Sequence, residues 1–330
     1  MIRIIKSNSP LNYALMFVLM LILWGFKFYY MPTPIETYEV SNWLIPKLPE
    51  TIFLKYLSAA VSFVFLYFFA VIINRFNSRL VIVENGYQAP GILFVLLSGV
   101  FINAQRILPE TLASFSLFFA MMRVFYSYKN TKAYSNMLDA GIFTSLSILL
   151  FHKLVFFIPL ILIVIFIIRP IKLREIIIFF TGLILSFAVG VAIIWLWGNP
   201  TLFLSSLESA IGTKYSYVKY TSLSFIIFGP VVFLAIVSLL GRFIINVHRK
   251  ISTRKFQTSL ILILATLTAF FASPHATNES IVLLFPFLSL MLSNIIINAK
   301  KIYVYLVFWG LAISILISQS VQILHYLTLY

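Results

Sequence analysis

The chain has no cysteine, so it can form no disulfide, carries no thiol nucleophile and offers no Cys-ligated metal site. Charge is also scarce. Only 10% of its 330 residues are charged, against about 25% in a typical soluble domain, and nine of them are acids. It has no phosphate-cradling glycine loop, no Ser-His-Asp order and no zincin motif, which leaves nucleotide-driven chemistry without an intrinsic site. No internal repeat is visible, which places a transporter or flippase behind other functions. The excess is apolar: 62% hydrophobic residues, 34 of them Phe, against about 45–50% in soluble domains. Such a surplus must face lipid.

Eleven apolar segments follow one another near 11–30, 56–74, 90–105, 111–127, 137–151, 154–168, 176–197, 223–241, 258–272, 281–297 and 302–323. The first is as long as a bilayer span, longer than a signal core, and lacks a small-residue cleavage site, so it reads as a retained helix. Segments that cross hydrocarbon must be helical, because unpaired backbone groups find no water there. With the N-terminus in the cytoplasm, Lys and Arg divide seventeen inside, counting Arg123 near the end of its helix, to seven outside. The bias alternates loop by loop, as the positive-inside rule requires of a correct segment count. The reading is an all-α polytopic transmembrane bundle of about eleven helices in a single integral domain, 1–330, N-terminus in and C-terminus out. It would carry outer loops 31–55 and 198–222 and a basic cytoplasmic loop 242–257. The net charge of +15 follows from this topology and implies no nucleic-acid partner.

Six of the nine acids fall on the outer side, so chemistry is expected there. Glu36 and Glu39, three apart, would share one face of a helical loop and could supply a general base; an ordinary solvated pair is the alternative. Arg106 and Glu110 lie in one short outer turn, His152 and Lys153 in another, Lys214 and Lys219 in the last long outer loop. Lys153 opposes the usual charge bias, which fits an anion ligand, although lysines at helix ends also simply snorkel to headgroups. His275 and Glu279 are too few for a zinc site, so no cofactor is expected and a divalent cation lacks support. Arg123 is the one charge well inside an apolar segment, and Pro230 and Pro286 should kink or break their helices. The stretch 246–255 reads as a contact with anionic lipid of the inner leaflet.

Residues 99–170 contain QRILPE, with Arg106, Pro109 and Glu110, and GIFTSLSILLFHK, ending in Lys153 ahead of Pro159. This arrangement resembles the core of the GT-C superfamily of multi-pass glycosyltransferases, which use polyprenyl-phosphate-linked sugars. VENGYQAPG (83–91), DAGIFTSLSILLF (139–151) and IIRPIKLRE (167–175) also resemble a family of uncharacterised bacterial inner-membrane proteins, a resemblance that implies a multi-pass location in a bacterial cytoplasmic (inner) membrane. The GT-C resemblance implies an acid in the first outer loop, usually Asp, that deprotonates an acceptor or holds a metal. No Asp stands there, so the role falls to Glu36 or Glu39. Arg106, His152, Lys153 and Lys214 would then bind the phosphate of the leaving polyprenyl carrier. Membrane lipid, including a polyprenyl-phosphate sugar, and membrane protein partners are the expected ligands. The missing Asp equally suits a non-catalytic GT-C-like subunit of a larger envelope complex.

Overall fold

The computed structural model describes residues 10–29, 52–83, 88–99, 108–130, 132–170, 172–197, 231–239, 251–271, 278–298 and 307–313, with scattered positions between 201 and 320. Everything regular among them is helical. In chain order these are α1 (Leu11–Tyr29), α2 (Ile52–Leu80), α3 (Ala89–Ser98), α4 (Pro109–Tyr126), α5 (Tyr134–Leu150), a 3-10 helix (His152–Phe157), α6 (Ile158–Ile168), α7 (Leu173–Trp197), α8 (Ile251–Phe271), a second 3-10 helix (Asn278–Leu284) and α9 (Phe285–Asn298). Helical backbone also covers 231–239, 307–313 and 315–317. Ile, Val and Phe would favour strands in water. Here each helix satisfies its own backbone, and no strand occurs among the described residues.

Among the described residues, three helical stretches, Tyr56–Leu80, Leu173–Leu196 and Ser280–Ile297, are long and apolar enough to cross a membrane. They occupy opposite environments. The Ser280–Ile297 stretch is 94% buried, while only 11% of the Leu173–Leu196 stretch is. A helix apolar on every side belongs in the centre of a bundle or in lipid, and hydropathy alone does not separate the two. α9 is the central case, packed by α2, α3, α4 and α8. α1, α2 and α7 instead expose large apolar side chains, among them Phe17, Ile22, Phe68, Ile184 and Ile193. An exposed apolar surface of this extent requires a lipid or protein cover.

Prolines mark helix starts. Pro90, Pro109, Pro159 and Pro286 each stand at the first or second position of α3, α4, α6 and α9. There the missing N–H has no intrahelical partner to lose. Pro286 therefore opens α9 where the 3-10 segment ends, rather than kinking a continuous helix. The polar residues 251–257 also differ from the expected basic loop: α8 already begins at Ile251. Arg, Lys and Gln are good helix formers, so the helix continues beyond the end of the apolar run.

α5 and α7 approach with almost no side chain between them. A Cβ on Gly141 would fall on the Phe179 carbonyl oxygen, with the Leu183 nitrogen 2.9 Å away. One on Gly182 would fall on the Leu138 carbonyl oxygen. Small residues at a helix interface permit this backbone contact in the absence of a hydrophobic driving force between helices. Between α2 and α3, two asparagines fix the turn. The Val83 N–H donates to Asn77 Oδ1 at 2.9 Å, and the Gly91 N–H donates to Asn74 Oδ1 at 2.7 Å. A side chain on Gly91 would collide with Asn74.

The polar connections gather at two ends. At one, Arg169 Nη1 donates to the Ser127 carbonyl at 3.3 Å, Lys255 Nζ donates to the Ile168 carbonyl at 3.2 Å, and Gln257 Nε2 donates to the Ile82 carbonyl at 3.4 Å. Phe256 packs on Phe125 and Tyr128 at the same end. At the other, the Ser114 hydroxyl donates to the Val282 carbonyl at 3.1 Å, and Phe270 meets Phe151 and Phe157. The connections at the first end are those to which the charge count assigns one common side. Arg123 has a partner of its own: its Nε lies 3.3 Å from Asp139 across α4 and α5. Both side chains are about one third exposed, so the pair contributes about 1 kcal/mol or less.

Candidate functional site

α4 and α5 form an antiparallel hairpin. Helices of 18 and 17 residues rise about 27 and 25 Å at ~1.5 Å per residue, so the start of α4 and the end of α5 lie at one level. That geometry brings Glu110, in the first turn of α4, next to the 3-10 helix carrying His152 and Lys153. The 3-10 helix arises because Phe151 leaves the α conformation, at φ −142° and ψ 92°, and Pro159 allows α6 to start only afterwards.

Lys153 is half-buried. Desolvation pushes its pKa below the usual lysine value, and the neighbouring Glu110 carboxylate pulls it part of the way back. His152 is buried, and burial lowers its pKa to about 4, so the ring is neutral near pH 7. It can donate or accept a hydrogen bond at the site but supplies no charge. Thr111, beside Glu110, is 2% exposed, and among the described residues its hydroxyl has no hydrogen-bond partner. A buried hydroxyl in that state costs about 1–3 kcal/mol and is a group that a ligand can satisfy.

The cation, the carboxylate and the open hydroxyl come from one helix hairpin and its following turn. No family model, curated protein or solved structure matches this chain. The chemistry of the site therefore rests on these side chains. A desolvated ammonium outside the apolar runs binds an anion more strongly than a solvated one, because less water competes for it.

Of the residues read from the sequence as candidates, His152 and Lys153 come together here. Glu36, Glu39, Arg106 and Lys214 lie outside the described residues, as do Lys219 and His275. Among the described residues no three His, Asp or Glu side chains converge to hold a metal ion. Glu110 as the neighbour of Lys153 went unread. Pairing α4 with α5 as a hairpin would have found it, since residues 110 and 153 flank that hairpin.

Proposed function

We propose that the chain is a multi-pass protein of the bacterial inner membrane with a GT-C-like arrangement, and that it transfers sugar from a polyprenyl-phosphate carrier on the outer face. The half-buried Lys153 beside Glu110, at the end opposite the basic connections, carries this reading. An acceptor hydroxyl would attack the anomeric carbon, and its proton would pass to Glu36 or Glu39. The bond from that carbon to the phosphate oxygen breaks, leaving polyprenyl phosphate with its new negative charge next to Lys153 and Arg106.

A purified protein in which Glu36→Gln and Glu39→Gln are combined should bind polyprenyl phosphate normally and lose transfer by about 10²-fold or more. Transfer at the original rate would remove the first-loop glutamates from the mechanism. Orientation has its own check. A phosphatase that works only outside the cytoplasm, fused after Tyr330, should be active; an inactive fusion together with an active cytoplasmic reporter would invert or shorten the topology.

A non-catalytic scaffold is the second reading, and the acids favour it. Asp139 and Glu175 are each engaged by an arginine, Arg123 and Arg169, which leaves Glu110 as the acid the described residues place at Lys153. In that case lipid-phosphate binding would persist without turnover, and the chain would copurify with a membrane partner.

A further inference from the structure

The connection from α6 to α7, RPIKLRE, is closed by an ion pair. Arg169 Nη2 lies 2.8 Å from Glu175 Oε1, and the two side chains are 8% and 2% exposed. Arg169 also reaches the Ser127 carbonyl, and Lys255 caps the Ile168 carbonyl just before it. Both ends of the connection are thus drawn into the protein, and its middle is turned out: Lys172, Leu173 and Arg174 are all exposed, Leu173 to 75%. The acid of the connection is spent on Arg169, so neither outward cation is neutralised by it. Lys129, exposed on the α4–α5 connection, and Arg254, exposed in the first turn of α8, add to the positive field.

Leu173 is also the first residue of α7, the least covered of the three long apolar stretches. Its exposed side continues at Ile177 and Ile184, four and eleven residues on, which keeps one face of the helix. Two cations therefore flank the top of an apolar stripe. A soluble polyanion would use the cations alone; a molecule with an anionic head and a hydrocarbon tail uses both.

We propose that Lys172, Leu173 and Arg174 form a site for an anionic phospholipid, with its phosphodiester between the two cations and an acyl chain along Leu173, Ile177 and Ile184. The buried Arg169–Glu175 pair is the brace that presents this tip. The site shares the membrane embedding with the transferase reading but none of its chemistry.

The test is the thermal midpoint of the full chain in neutral detergent micelles titrated with phosphatidylglycerol or phosphatidylcholine. Ligand that binds the folded state raises the midpoint with concentration. Phosphatidylglycerol should raise it and phosphatidylcholine should not. A Lys172→Gln/Arg174→Gln protein should need roughly thirtyfold more phosphatidylglycerol for the same rise, about fivefold per cation. If the double variant is poorly folded, Lys172→Gln and Arg174→Gln singly should each show the fivefold change. Arg75→Gln/Arg79→Gln, which removes two exposed cations from α2, should leave the titration unchanged. An unaltered response in the double variant, an equal loss in the α2 variant, or the same rise from free glycerol phosphate would each overturn the site. None of these results bears on Lys153.

Discussion

Under the proposed transferase reading, Lys153→Ala is expected to lower sugar transfer from a polyprenyl-phosphate donor by about 10²-fold or more in the reconstituted protein, the range for losing one preorganised group on a developing anion. Lys153→Arg restores part of it, because the charge returns while the point-like ammonium is replaced by a broader fork. The argument runs through burial. A solvated lysine at a helix end would be replaceable at little cost, but Lys153 is held half-buried beside Glu110, where desolvation works against its charge. A bound phosphate would offset that penalty. Glu110 competes for the same ammonium, so removing its charge should not mimic the loss of the lysine. The measurement is donor turnover together with binding of polyprenyl phosphate. Loss of binding and turnover together supports the assignment, and binding lost from a protein with no turnover to begin with supports the scaffold. Full binding in Lys153→Ala would show that the phosphate sits elsewhere.

Gly141→Leu is expected to leave almost no monodisperse protein. The α5–α7 contact is backbone against backbone at this point, and a carbonyl cannot rotate aside as a side chain can. Overpacking a well-filled contact costs typically about 1–3 kcal/mol even where side chains can adjust. Here the helices themselves would have to separate, and with them the turn that holds His152 and Lys153. Gly182→Leu, which meets the Leu138 carbonyl, should behave the same way. Gly190→Ala is the useful contrast, since its Cβ meets the side chain of Leu149, which can change rotamer. Yield and elution profile on size exclusion give the comparison, and a Gly141→Leu protein as stable as Gly190→Ala would mean that the helices are farther apart than described.

The sequence was most legible where its signal was strongest. Every apolar run contains helix among the described residues, and of the segments grouped by positive charge, those around Ile82, Ser127, Arg169 and Lys255 meet at one end. Three features were not legible, each for a physical reason. Residues 251–257 looked like a loop because hydropathy reports the solvent a helix meets rather than whether it continues. The Arg169–Glu175 pair has no signature in the sequence, because pairing across six residues depends on how the chain turns between them. α7 and α9 looked alike because lipid and protein interior are equally apolar, so composition could not say which helix lies at the centre. At the candidate site the sequence singled out Lys153 by its position against the charge bias. It did not join Lys153 to Glu110, because that neighbourhood comes from the hairpin and from no local motif.

The central place of α9 also bears on how the protein is made. Its residues follow α1 to α8 in the chain, yet α2, α3, α4 and α8 all pack on it. During synthesis those helices leave the ribosome first, at roughly 5–20 residues per second, with the position at their centre still vacant. They spend those seconds as a loose assembly, with lipid or another protein in place of Phe285, Phe287 and Leu288, side chains that end up with no exposure at all. Arrival of α9 would then displace that temporary filling and lock the bundle in a late, cooperative step, so the surrounding helices come first and the centre is filled last.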